Sequence, residues 1–270
     1  ADVGCDADGA LMSQILTVRA FAPRRVGSMK AQVLTEESGP NGLQLTEVDD
    51  PTPADGQVLV DIKSCGVCFP DLLMSQGKYQ MRAPLPFTPG TEVAGVVREA
   101  PEGSSVKVGD KVLVASFIGG FAEQVAASPE QLLPLPDGLS FEQGAAMGIN
   151  FQTALFALKL RAQTAPGEIV GVLGSAGGVG VASILVAKAM GATVVAIVHR
   201  TGAEQMLRDL GADHVVQLSD GWGDRLKEVA PEGVDVMIDP VGGDVFDEIT
   251  ENLVTTDDFH LGKLRHAHRP

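Results

Sequence analysis

The sequence predicts an α/β chain in two parts, a β-rich first half followed by a doubly wound parallel sheet. Three observations carry that prediction. Glycines at 174, 177, 178 and 180 stand between a short apolar run, 169–173, and a long apolar segment, 179–190, that leads to a β-branched run at 193–198. Beyond them strand-like and helix-like segments alternate, the signature of a parallel sheet with covering helices. Before them come short β-like runs punctuated by proline and glycine.

Residues 1–28 show no sustained periodicity and read as a disordered extension. The folded pattern begins at Met29, with Lys30-Ala31-Gln32-Val33-Leu34. Runs at 43–48, 57–64, 91–98 and 111–115 follow, with Pro51, Pro53, Gly56 and Gly109 marking the breaks, so 29–151 reads as a small β-rich domain. From Phe141 the pattern turns helical, passing through Ala145, Ala146 and Ile149 to Leu160, and this stretch links the halves. The second domain spans 152–254. After the glycine cluster it offers helix 203–210, strand 214–218, helix 224–229, strand 234–238 and helix 245–253. Four strands are present, where a dinucleotide-binding sheet usually has six in the order 3-2-1-4-5-6. The expected fold therefore lacks its last strands.

Composition sets the outer bounds. A hydrophobic fraction of 44% supports real cores, and a net charge of -15 disfavours nonspecific binding to nucleic acid or anionic membrane. No apolar run reaches membrane-spanning length. Cys5, Cys65 and Cys68 are too few for a secreted disulfide framework, which makes a reducing cytoplasm the expected setting. The start of the chain carries Asp2, Asp6 and Asp8 and lacks the basic and apolar regions of a secretory signal.

The glycine cluster suits a dinucleotide's diphosphate. Glycines allow a tight turn and close backbone approach, and the following helix offers unpaired N–H groups at its positive end. The predicted cradle comprises Gly174, Ser175, Ala176, Gly177, Gly178, Val179 and Gly180. About twenty residues on, an NAD site usually carries a carboxylate for the ribose 2′-hydroxyl. Here the chain reads His199-Arg200-Thr201, and a guanidinium matches a 2′-phosphate, so NADPH is the expected cofactor.

In order along the chain come Gly66-Val67-Cys68-Phe69-Pro70-Asp71, Gly77-Lys78-Tyr79, Pro89-Gly90-Thr91-Glu92-Val93-Ala94-Gly95, Val108-Gly109-Asp110-Lys111-Val112 and Gly120-Phe121-Ala122-Glu123. Asn150-Phe151-Gln152-Thr153-Ala154, the glycine loop, Leu210-Gly211-Ala212-Asp213-His214-Val215 and Asp239-Pro240-Val241-Gly242-Gly243 complete the series. Together these segments, between 29 and 253, resemble the zinc-independent quinone oxidoreductases, the zeta-crystallin-like branch of the medium-chain dehydrogenase/reductase superfamily. The resemblance implies a GroES-like substrate-side domain and a Rossmann NADPH-binding domain. In the zinc-dependent branch Cys68 matches a catalytic metal ligand and a histidine stands at the place of Thr91; a threonine hydroxyl is not a good zinc ligand, so no metal is expected.

By the same resemblance Cys68 lies near the nicotinamide, Thr153 touches its amide, His199 and Arg200 meet the adenosine ribose, and Val241 lies beside the cofactor. Asp71 and Tyr79 belong to the substrate-side segment and are the catalytic candidates. Tyr79 stands out because a phenol both donates and accepts a hydrogen bond, although an aromatic filler is an equal reading. The implied reaction is hydride transfer from NADPH to a quinone or other α,β-unsaturated carbonyl. A 2-enoyl thioester reductase and a noncatalytic NADPH-binding protein are the alternatives. The implied partner is a small molecule, with no nucleic acid or membrane, and full-length relatives are expected to be homo-oligomers. After Leu253 the likeness stops. Residues 255–270 form a divergent tail whose His260, His266 and His268 read as part of a solvated terminus, and the chain as written is expected to be short of its last two strands.

Overall fold

The computed structural model describes residues 27–245. The expected N-terminal extension up to residue 26, nearly all of the helix at 245–253, the divergent tail, Cys5 and the tail histidines lie outside the described residues. Contacts divide the chain into two units that meet in sequence between Ile149 and Asn150.

The first unit is built on strands β1 (Ser28–Leu34), β2 (Leu43–Asp49) and β3 (Val58–Gly66), helix α1 (Phe69–Ser75), and strands β4 (Glu92–Glu99), β5 (Lys111–Ala115), β6 (Gln124–Ala127) and β7 (Leu132–Pro134). Helix α2 (Phe141–Ala145) closes it. Five strands pair antiparallel in the order β6-β3-β4-β5-β7. Alternate residues supply the core, because successive side chains of a strand face opposite sides. Val58 and Val60 of β3, Val93 and Val97 of β4, and Val112 and Val114 of β5 lie together and are buried. β1 and β2 form a separate hairpin-like pair, tied to the rest where Gln32 N donates to Phe121 O and Leu34 N donates to Phe87 O.

Helix α3 (Ile149–Leu155) continues as a π-helical turn, Phe156–Arg161, into the second unit. There follow β8 (Ile169–Leu173), α4 (Gly178–Ala189), β9 (Thr193–Val198), α5 (Glu204–Asp209), β10 (His214–Gln217), α6 (Trp222–Val229) and β11 (Val236–Ile238). The strands are parallel and ordered β10-β9-β8-β11, which is the 3-2-1-4 half of the dinucleotide-binding arrangement. Period-two alternation sorts β9 onto two cores. Val194, Ala196 and Val198 pack with Ile184 and Ala187 of α4 and Leu207 of α5, whereas Val195 and Ile197 pack with Trp222 and Leu226 of α6. Helices on both faces explain why β9 reads as a nearly continuous apolar run.

Candidate functional site

In such a sheet, ligands bind outside the carboxyl ends of the strands where the order reverses, here between β8 and β11. The glycine loop lies at the carboxyl end of β8. Gly174 has φ +62°, a left-handed conformation that L side chains rarely adopt, and it turns the chain out of β8. Gly177 N donates to Gly174 O at 2.9 Å, and Gly177 is the N-cap of α4. A Cβ on Gly180 would stand 2.4 Å from Gly174 O and 2.6 Å from Ser175 Cα, so only glycine lets α4 approach the turn this closely. Ala176, Gly177, Gly178 and Val179 are half-buried, and the first N–H groups of α4 have no intrahelical partner. Helix dipole and free N–H donors together make this a fitting seat for a diphosphate.

Ser175 takes a different part from its predicted one as a cradle residue. It is fully buried, its Oγ donates to Ile197 O at 2.7 Å, and its N–H is directed to the same carbonyl at 3.2 Å. Both of its donors thus pin the loop to β9, and with the Gly177 N–H given to Gly174 O, the N–H groups of Ala176, Gly178 and Val179 are the ones left for a candidate cradle. Val241 reaches the loop from the end of β11: its Cγ2 lies 2.9 Å from the position of the Cβ that Gly174 lacks. Asp239 shapes this second loop, with one carboxylate oxygen accepting from Val241 N and Gly242 N, each at 2.8 Å. His199 and Arg200 follow β9 and are exposed; the His199 carbonyl accepts from Gln217 Nε2 at 2.7 Å. Arg200 makes no ion pair among the described residues. Thr153 is half-buried on α3.

In the first unit, Cys68 precedes α1 as its N-cap. Its Sγ lies 2.9 Å from Thr91 Oγ1 and donates to Asp71 Oδ2 at 3.1 Å, while its N–H donates to the same Asp71 oxygen at 2.8 Å. Gly90 N donates to Asp71 Oδ1 at 3.2 Å. Burial, reinforced by the Asp71 charge, pushes the Cys68 thiol well above its ordinary range. Burial also raises Asp71, against these hydrogen bonds. Asp71 is 4% exposed and braces Cys68 and the Gly90 turn, which leaves the predicted catalytic carboxyl occupied with the protein's own donors. Tyr79 lies in a small cleft shared with Glu37, Met74, Met81, Arg82 and Phe87, and no hydrogen bond joins it to Asp71 among the described residues.

Sequence reasoning passed over Glu92, although it follows Thr91 in a quoted segment. It is 3% exposed, accepts from Ile149 N at 2.7 Å and from the Gly148 amide, and is pushed up from 4.5 to about 7 by burial. The sequence shows only a glutamate at the head of an apolar run, 93–97; its burial comes from contacts far along the chain.

A catalytic zinc does not fit this donor set. Zinc takes thiolate, imidazole or carboxylate ligands, but Cys68 faces the Thr91 hydroxyl, and no three His, Cys, Asp or Glu groups among the described residues are arranged to hold a metal.

Comparison with known proteins agrees with this anatomy. Residues 54–137 match the alcohol dehydrogenase GroES-like domain family, and 178–256 match the zinc-binding dehydrogenase family. A probable oxidoreductase from Mycobacterium abscessus is 47% identical, with TM-score 0.81 over 84% of this chain and 72% of that one. The quinone oxidoreductase of Thermus thermophilus, solved also as its NADPH complex, is 36% identical, with TM-score 0.72 over 82% and 70%. Quinone oxidoreductase-like protein 2 of Bos taurus is 39% identical over 242 residues, 87% of this chain and 66% of the relative. The chain spans about half the length of the mammalian synaptic vesicle membrane protein VAT-1 homologues that it matches. No helix among the described residues is long and apolar enough to cross a membrane.

Proposed function

The chain belongs to the quinone oxidoreductase-like branch of the medium-chain dehydrogenase/reductase superfamily, and on that footing we propose that it is an NADPH-dependent, zinc-independent reductase of quinones or other α,β-unsaturated carbonyls. The observation that carries the proposal is the glycine loop at the switch point of a parallel sheet, with Gly180 packed on Gly174 and Val241 against the turn. NADPH, when bound, supplies the hydride.

The protein's part is binding, orientation and exclusion of water. The backbone N–H groups of Ala176, Gly178 and Val179 would receive the diphosphate, with Gly177 forming the turn and Ser175 holding the loop in place. Arg200, which stays charged, would hold the 2′-phosphate, with His199 beside it at the ribose. Thr153 meets the nicotinamide amide, and Val241, fixed by Asp239, limits solvent on that side. By family resemblance Cys68, whose Sγ lies 2.9 Å from Thr91 Oγ1, stands near the nicotinamide, and Tyr79 holds or protonates the substrate oxygen. The proposed setting is cytoplasmic, and homo-oligomers are expected of the full-length relatives.

Two outcomes test the parts separately. Arg200→Ala loses a charge-assisted contact and weakens NADPH binding by about 1.5–3 kcal/mol while leaving NADH nearly unchanged. Equal losses in a fluorescence titration of the two cofactors would remove Arg200 from the site. Purified protein carries no stoichiometric zinc, and chelation leaves turnover intact, because the pair Cys68 and Thr91 lacks an imidazole; one tightly held zinc per chain by elemental analysis contradicts this. The reaction itself is tested by NADPH oxidation against a quinone panel and an enoyl thioester. Turnover of the thioester alone shifts the assignment to enoyl reduction, and cofactor binding without any turnover makes the chain a noncatalytic binder.

A further inference from the structure

Asn150 stands at the start of α3, and its carboxamide fills the space beside the first residue of α4. The Cβ that Gly178 lacks would meet Asn150 Nδ2 at 2.8 Å and its Cγ and Oδ1 at 2.9 Å. All the polar atoms of the side chain therefore lie against the first turn of the helix that closes the glycine loop. Any larger residue at 178 would displace the carboxamide. The side chain is half-buried, and among the described residues it has no hydrogen-bond partner. Packing alone does not explain the choice of residue. An apolar side chain would fill the same space, while a carboxamide carries two N–H donors and an acceptor, and those of Asn150 are not shut away from solvent and stay open to a ligand.

We infer that Asn150 is a cofactor-contacting residue that donates its side-chain N–H to the diphosphate of the dinucleotide, adding a movable donor to the fixed N–H groups of α4. Phosphate oxygens accept hydrogen bonds and cannot donate them, so the carboxamide turns its nitrogen toward the ligand and leaves its oxygen toward the protein. Being neutral, Asn150 lends direction without adding to the charge that Arg200 supplies at the other end of the adenosine half. The inference rests on the dinucleotide reading of the glycine loop.

The test uses 2′-phospho-ADP-ribose, which carries the diphosphate but no nicotinamide, and adenosine 2′-monophosphate, which carries no diphosphate, each titrated calorimetrically. Asn150→Ala is expected to weaken 2′-phospho-ADP-ribose about tenfold, and Asn150→Asp, which replaces the donors by a negative charge, by about thirtyfold or more. Adenosine 2′-monophosphate should bind both variants as it binds the parent protein. Thermal melts without ligand identify a variant that fails to fold, and the remaining variant then decides. Binding of 2′-phospho-ADP-ribose within twofold of the parent in a folded variant overturns the role of Asn150, as does an equal loss for both ligands. A parent protein that does not bind 2′-phospho-ADP-ribose overturns the dinucleotide reading instead, and the inference with it.

Discussion

Gly180→Ala is expected to destabilise the second unit by about 3 kcal/mol and to weaken NADPH binding more than tenfold. Two effects of opposite sign compete. Replacing glycine by alanine inside a helix favours folding by about 1 kcal/mol, since glycine loses more backbone freedom. Against this, the new methyl group would stand 2.4 Å from Gly174 O and 2.6 Å from Ser175 Cα, and both are backbone atoms that cannot rotate away. Relief requires α4 to move off the turn. That movement carries the helix's first N–H groups away from their cradle and strains the bonds from Ser175 to Ile197 O. Gly177→Ala is the control, because its Cβ would lie 3.3 Å from Gly174 O and its φ of -87° is open to any residue. Urea unfolding followed by the fluorescence of Trp222, the single tryptophan and a buried member of this unit's core, reports the loss. A Gly180→Ala protein as stable as Gly177→Ala would mean that the loop yields freely.

Much of this arrangement is legible in the sequence because it depends on local pattern. β8, the glycine turn, α4 and β9 follow from apolar runs interrupted by glycine, and the parallel order follows from strand-helix alternation. Other parts were hidden for identifiable reasons. α1 is only seven residues long and too short to show a period, yet Pro70 in its first turn and Asp71 accepting from the Cys68 amide are helix-start signals. β7 covers three residues, one of them Pro134, and is recognised only by its pairing with β5. The helical stretch expected from Phe141 to Leu160 is broken into α2, α3 and a π-helical turn, and Glu92 accepts from Ile149 N where α3 begins. Long-range contacts of that kind have no sequence period. Asn150 and Glu92 both fall inside segments quoted for their likeness to a family, but what each touches is set by residues far along the chain.

Glu92 gives the largest expected dependence on pH. The folded protein holds its carboxyl at about 7, against 4.5 for an unburied glutamate, chiefly because the group is buried and secondarily because Asp71 adds negative charge nearby; the Ile149 and Gly148 amides oppose the rise. A carboxyl that binds its proton more tightly when folded favours the folded state at low pH. Below about 4.5 it is protonated in both states and costs nothing. As pH rises from there to about 7 the unfolded chain ionises first, and stability falls by about 1.4 kcal/mol per unit, reaching a cost of about 3 kcal/mol above pH 7. Asp71, also raised by burial, acts with the same sign beginning at lower pH. Glu92→Gln keeps an oxygen for the Ile149 amide but cannot ionise. Its unfolding free energy should therefore be flatter between pH 5 and 7 than that of the parent, and the variant should gain on the parent as pH rises. Urea unfolding followed by far-ultraviolet circular dichroism at pH 5, 6, 7 and 8 measures the two slopes. Parallel curves would show that Glu92 is ionised in the folded protein throughout this range and that the two backbone donors outweigh its burial.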